Sequence, residues 1–315
     1  MATRELTNAP RILPLYLRAA AALLPGASHL PGLPGGGGEM PELELTLRDV
    51  EVEPDRLAAY AQVCGFAVEE TLPATYPHVL AFPLHMALMA DGHFPFAAVG
   101  LVHLENEITQ RRALPSNDRL SFSVRATTPK PHPRGCTFAI VTKARVGEEL
   151  VWEERSTMLR RGGEGSDRSA ATDHEQPEAP DHGPPEVSDH GPPTGGVQWR
   201  IAADIGRRYG AVSGDRNPIH MHALGARVFG FPQAIAHGMW TKAHCLAELQ
   251  EQLPDAFTVV VRFRKPVPLP ATVSFSNDRE GEAIRFALRS ATGDALHLYG
   301  HVEPLTPKTA PGRER

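Results

Sequence analysis

As a string of apolar and polar positions, the chain changes period in a fixed order, and does so twice. Residues 236–253 place Met239, Ala243, Leu246, Ala247 and Leu253 near one face at helical spacing, with few β-branched residues and Pro254 as a stop. The spacing predicts a long helix, and its counterpart in the first half is expected over residues 83–89. Alternation follows each helix. Leu120, Phe122 and Val124 face one way while Ser121, Ser123 and Arg125 face the other; Val259, Val261 and Phe263, then Ile284, Phe286 and Leu288, repeat the period of two. One helix followed by several antiparallel strands, twice over, predicts an α+β fold in which a sheet wraps a helix and two such sheets close side by side.

The two halves also share residues. Tyr60-x-x-Val63-x-Gly65 matches Tyr209-x-x-Val212-x-Gly214, and Tyr76-Pro77-x-x-Leu80-Ala81 matches Phe231-Pro232-x-x-Ile235-Ala236. Leu114-Pro115 before Leu120-Ser121-Phe122-Ser123 matches Leu269-Pro270 before Val273-Ser274-Phe275-Ser276. Three matches in the same order argue for an internal duplication.

Composition marks the join. Residues 162–196 hold seven glycines, six prolines and eight acids against one base, Arg168, with Val187 the only large aliphatic residue, and Asp181-His182-Gly183-Pro184-Pro185 recurs from Asp189 to Pro193. Such a segment cannot build a core and is expected to be a disordered acidic linker rather than a histidine metal tract. The expected layout is therefore an N-terminal segment with a short helix (1–41), a degenerate unit (42–161), the linker (162–196), an intact unit (197–307) and a tail (308–315).

With 315 residues, a net charge of −5 and 41% hydrophobic content, the chain is that of a globular protein, and bulk charge gives no support to nucleic-acid binding. The longest apolar run near the N-terminus, residues 19–24, is far too short for a membrane span or a secretory signal. Cys64, Cys136 and Cys245 form no C-x-x-C pair, so a disulfide framework is not expected and a cytoplasmic location is the default.

The chemistry concentrates in residues 209–239. Asp215 and His220 flank Asn217-Pro218, and proline disfavours a helical Asn217, so a turn can bring carboxylate and imidazole to one point. Such a pair can hold a water or move a proton at neutral pH. A plainer reading has both residues capping turns. His237-Gly238-Met239 opens the second long helix, so the Gly238 N–H lies at the positive end of the helix dipole, where it can polarise a carbonyl oxygen; close packing of helix on sheet would ask for a glycine equally.

Together, Tyr209-x-x-x-Ser213-Gly214-Asp215-x-Asn217-Pro218-Ile219-His220, Gly230-Phe231 and Ile235-Ala236-His237-Gly238-Met239 resemble the hydratase motif of the MaoC-type dehydratases, the (R)-specific enoyl-thioester hydratases. The resemblance covers residues 42–305 and is nearest to the actinobacterial 3-hydroxyacyl-thioester dehydratases. It implies a double hot-dog fold and reversible dehydration of (3R)-3-hydroxyacyl thioesters, of coenzyme A or acyl carrier protein, to trans-2-enoyl thioesters in fatty acid metabolism. Asp215 and His220 would handle water and Gly238 the thioester oxygen, with Ser213, Asn217, His237 and Met239 around the substrate. No cofactor and no metal are implied, and a homodimer is compatible. The competing class is a non-catalytic acyl-thioester-binding or subunit protein.

The internal matches add a test. They set Phe66 and Thr71 against Asp215 and His220, and Phe82 and Pro83 against His237 and Gly238, so the first half lacks acid, imidazole and N–H donor together. One active site per chain is expected, with Phe66 and Phe82 as apolar wall for the acyl tail. Among other candidates, Trp240 and His244 are expected to be structural, and Arg262, Arg264 and Lys265 could meet carrier phosphates.

Overall fold

The computed structural model describes residues 2–22, 33–36, 38–98, 100–162 and 192–305. Nearly all of the expected linker and all of the expected tail lie outside them. The first half runs β1 (Ala2–Leu6), α1 (Ile12–Ala21), β2 (Leu43–Val50), α2 (Pro54–Cys64), α3 (Tyr76–Met89), β3 (Val102–Gln110), β4 (Leu120–Ala126), β5 (Lys130–His132), β6 (Gly135–Val146) and β7 (Glu149–Arg161). The second runs β8 (Val197–Ile201), α4 (Ile205–Ser213), α5 (Pro218–Met221), α6 (Ala223–Val228), α7 (Gly238–Glu248), β9 (Phe257–Phe263), β10 (Ala271–Glu280), β11 (Ala283–Ser290) and β12 (Leu296–Pro304).

All the strands join one sheet in the order β1-β2-β4-β6-β7-β3-β9-β12-β11-β10-β8, with β5 paired to β6. About the β3–β9 seam the order is symmetric: β2-β4-β6-β7-β3 on one side mirrors β8-β10-β11-β12-β9 on the other. The seam is antiparallel and runs from Glu105 opposite Arg262 to Gln110 opposite Phe257. The predicted alternation holds in β4, where Leu120, Phe122 and Val124 are buried and the residues between them are not. These inward faces close on α3 and α7, whose side chains are buried almost all round. This is the double hot-dog, two sheets each wrapped on a helix, that the resemblance implied.

Two details differ from the sequence expectation. Helix α3 begins at Tyr76 and carries Pro83 in its interior, instead of beginning at Pro83. Pro77 stands in its first turn, where a missing N–H costs nothing, and a wholly buried helix leaves no amphipathic stripe to reveal its length. In the second half α7 stops at Glu248 and a 3-10 turn, Gln250–Gln252, completes the segment.

The internal correspondence also shifts partway along. Helices α2 and α4 both end in a left-handed glycine, Gly65 (φ 88°) and Gly214 (φ 85°), so the first match is structural. Beyond it, Thr71 bridges Pro115 as Ile235 bridges Pro268. Thr71 thus stands where Ile235 does, and the stretch bearing α5 and α6 is an addition to the second half. Tyr76-Pro77 opens a helix while Phe231-Pro232 lies in the loop before one, so that match is not structural.

Candidate active site

Tyr209 to Asp215 is held by its own backbone chemistry. Ser213 Oγ donates to the Tyr209 carbonyl at 2.8 Å and accepts the Asp215 N–H at 3.1 Å, so Ser213 fixes the turn from behind and does not line the cavity. Asp215 Oδ1 accepts the Asn217 N–H (3.1 Å) in an Asx-type turn, and Asn217 in turn caps α5 by accepting from the Ile219 N–H (3.4 Å). Pro218 at the first position of α5 sets the direction in which His220 leaves.

The imidazoles stack. His220 and His237 have ring centroids 3.8 Å apart, inclined by 28°. His220 Nδ1 bonds the Ile235 carbonyl at 2.8 Å, which makes Nδ1 the protonated nitrogen and leaves Nε2 with a lone pair. His237 Nε2 donates to the Asp215 main-chain oxygen at 2.9 Å and lies 3.8 Å from its Oδ2. His237 therefore acts as a brace between the turn and α7, whose first residue is Gly238. As that first residue, Gly238 has an N–H with no intrahelical acceptor. A Cβ on it would lie 3.1 Å from the Phe263 ring, so this glycine also permits close packing against β9.

Burial and charge set the protonation states. Desolvation would raise the Asp215 carboxyl, but the flanking His237 and His220, then the hydrogen bonds from Tyr16 and Asn217, outweigh it and hold the group below the usual carboxylate range. Desolvation pushes His220 down against the pull of Asp215, and pushes His237 down to about 3. The resting site is then a carboxylate beside neutral imidazoles, able to accept one proton.

Sequence reasoning missed Tyr16. It lies on α1, 199 residues from Asp215, and its hydroxyl donates to Asp215 Oδ1 at 2.8 Å while accepting the Arg216 N–H at 2.8 Å. Burial and the neighbouring carboxylate push its phenol far above the ordinary value, so it remains a donor. The only signal in the sequence was a short apolar helix with a tyrosine on it.

A cavity of about 390 Å³ opens on this group. Asp215, Asn217, His220, His237, Gly238 and Met239 line one end, with Arg264 and Lys265 beside them, and the wall continues into the first half over Phe82, Met89, Leu101 and Ile140. Phe82 faces the cavity from the interior of α3; a Cβ on Gly214 would touch its ring at 3.6 Å. Phe66 does not line it, being buried against Tyr60 with ring centroids 6.4 Å apart. Of the remaining candidates, Trp240 and His244 cap carbonyls at the end of α2, bonding Val63 (2.9 Å) and Cys64 (2.7 Å). Arg262 is engaged with Glu105 at 2.8 Å. Ligand atoms of Asp215, His220 and His237 lie within 4.8 Å of one another, close enough for a cation, but the bonds above already occupy His220 Nδ1 and His237 Nε2.

Comparison with known proteins agrees with this architecture. Residues 191–298 match the model of the MaoC like domain. The chain is 38% identical over 296 residues to 3-hydroxyacyl-thioester dehydratase X of Mycobacterium tuberculosis, an alignment covering 94% of this chain and 99% of that one. The crystal structure of that organism's HtdX superposes with a TM-score of 0.70 at 35% identity, over 83% of this chain and 100% of the other. A MaoC-like dehydratase from Phytophthora capsici superposes with a TM-score of 0.64 at 20% identity, over 85% and 97%, a likeness of fold. No helix among the described residues is long and apolar enough to cross a membrane.

Proposed function

Because the chain belongs to the MaoC-like 3-hydroxyacyl-thioester dehydratases, we propose that Asp215, His220 and Gly238 carry the chemistry by which it reversibly dehydrates (3R)-3-hydroxyacyl thioesters to trans-2-enoyl thioesters. It is a hydro-lyase of fatty acid metabolism. The observation that supports the residue assignment is a carboxylate and a neutral imidazole in one cavity wall with the first N–H of α7.

In the dehydration direction the C2–H bond breaks and its proton passes to the Asp215/His220 pair, which at rest has room for one. The electron pair forms the C2–C3 double bond as the C3–O bond breaks, and the pair returns the same proton to the departing hydroxyl, so water leaves and the site is regenerated. Charge that develops on the thioester oxygen is taken up by the Gly238 N–H, strengthened by the α7 dipole. The two groups are in contact with the same braces, so they titrate as one unit. Arg264 and Lys265 beside the site suit the phosphates that coenzyme A and acyl carrier protein have in common.

The test is the absorbance of the conjugated enoyl thioester on mixing the full chain with crotonyl-CoA and longer 2-enoyl-CoA esters. Loss of the enoyl band with formation of the (3R)-hydroxy product is expected. No turnover of any chain length would overturn the reading.

A further inference from the structure

A wall that met only an alkyl tail would be hydrocarbon throughout, since buried polar groups cost free energy unless hydrogen-bonded. Here the first half turns four polar side chains to the same cavity: His78 and His85 on α3, His103 on β3 and Ser156 on β7. Behind them lies a network with no counterpart among the apolar lining. Glu154, whose side chain has no exposed surface, accepts His78 Nδ1–H at 2.8 and 2.9 Å and Asn106 Nδ2–H at 2.7 Å. Asn106 also donates to Ser156 Oγ at 3.0 Å, and the buried Lys242 donates to the Asn106 and Val259 carbonyls at 3.1 and 3.3 Å.

The network aims outward. With Nδ1 held by the carboxylate, the Nε2 edge of His78 is turned away from Glu154. His103 Nε2 is buried and has no hydrogen-bond partner. His85 spends its Nε2 on Thr142 Oγ1 at 2.7 Å. Glu154 and Lys242 offset each other's charge, while burial drives His85 and His103 down to about 3 and about 4 and so keeps both neutral. Ligand atoms of His78, His85 and Glu154 lie within 4.8 Å of one another, yet they are bonded to each other or to Thr142, which leaves few lone pairs for a cation. A carboxylate ligand would face Glu154 uncompensated. What fits is a neutral oxygen.

We propose that His78, His103 and Ser156 form a second, polar subsite of the acyl cavity that binds a neutral oxygen function, hydroxyl or carbonyl, carried on the acyl chain. The proposal rests on the dehydratase reading above and narrows its substrate class: thioesters oxygenated along the chain are preferred over plain ones. The oxygen bonds the imidazole edge of His78 and satisfies His103 Nε2, with Ser156 as a third partner.

The experiment compares kcat/KM for trans-2-decenoyl-CoA with that of the same ester bearing one hydroxyl, placed in turn on each carbon from the sixth to the tenth. At least one isomer is expected to exceed the plain chain by about tenfold, the size of one or two hydrogen bonds to otherwise unpaired groups. In the double variant His103→Phe with Ser156→Ala that ratio falls to one or below, with the melting temperature as a control for folding. If every hydroxylated isomer falls below the plain chain in the wild-type protein, the wall behaves as hydrocarbon and the subsite is refuted, whether or not the variant folds. An unmoved ratio in a variant that melts like the wild type refutes the assignment to these residues. No turnover of plain decenoyl-CoA or crotonyl-CoA would instead remove the dehydratase reading, and the subsite with it.

Discussion

Past Gly65 the first half of the molecule needs five residues, 66–70, to reach the bridge at Thr71, whereas past Gly214 the second half takes twenty, 215–234, to reach the same place at Ile235. The helices before these segments and the strands after them are alike in both halves. The second half therefore differs by an addition, which carries Asp215, the Asn217-Pro218 turn, α5 with His220, and α6. The first half did not lose its acid and imidazole one by one; it has no room for them. It has in exchange a longer helix α3, and on that helix the imidazoles that face the cavity from the other side. One cavity is thus bounded by two carboxylate–imidazole groups, Asp215 with His220 and His237, and Glu154 with His78 and His85. In the former the carboxylate reaches the cavity, in the latter only the imidazoles do.

The sharpest way to break the comparison is Asp215→Asn. If the added segment is the reactive one, kcat falls about 10² to 10⁴-fold, the range a positioned acid–base group supplies, with an unchanged melting curve. Wild-type turnover in this variant would return the first half to contention.

Tyr16→Phe is next in size. The variant removes one hydrogen bond that holds the Asp215 carboxylate, so a loss in kcat of about tenfold is expected with KM little changed. The sign on pH follows from the same bond: it lowers the Asp215 pKa, so its loss raises that pKa and the acid limb of kcat/KM moves to higher pH. A uniformly reduced rate with an unmoved acid limb would make Tyr16 a packing residue only.

A smaller effect belongs to Gly238→Ala. The new methyl would meet the Phe263 ring at 3.1 Å and push the first turn of α7 from its place, so turnover drops by roughly threefold to tenfold with a modest loss of stability from overpacking. Loss of stability at full turnover would assign this glycine to packing alone.

The smallest effect concerns stability against pH and belongs to the first half. His85 and His103 have folded pKa values depressed to about 3 and about 4, so between there and about 6.5 the unfolded chain binds protons that the folded one does not. Stability present above pH 6.5 is lost as pH falls through that window, and Glu154, held at about 2, extends the loss below its ordinary 4.5. A thermal melt series from pH 7.5 to pH 4.5 is expected to show a falling midpoint and a shallower fall in His103→Phe. A flat profile would mean that these imidazoles take up protons in the fold.

What could be read from the sequence follows from the range of each interaction. Strands such as β4 announce themselves because alternate residues meet core and surface, and the Asp215–His220 turn because proline and asparagine act on their immediate neighbours. Helix α3 did not, since Tyr76 to Met89 is apolar on every side and its two prolines imitate breaks. The match of Phe82 and Pro83 to His237 and Gly238 failed because the added segment moves the register between two conserved-looking dipeptides. Tyr16 was beyond reach for another reason: nothing local connects position 16 to position 215, and only the packing of α1 against α3 and the turn does so. The Glu154 network was similarly concealed, a glutamate on β7, an asparagine on β3 and a lysine on α7 that alternation alone would set down as outward-facing.

Tyr16 also matters for how the protein is handled at the bench. The next methionine after the first is Met40, and a chain begun there would retain α3, α7 and every strand from β2 to β8 while giving up β1, α1 and the hydroxyl on Asp215. Spectroscopically such a protein would pass for intact, and its defect would surface only in the rate. The placement of a purification tag, or of the start codon, is in this protein a choice about the electrostatics of a carboxylate two hundred residues away.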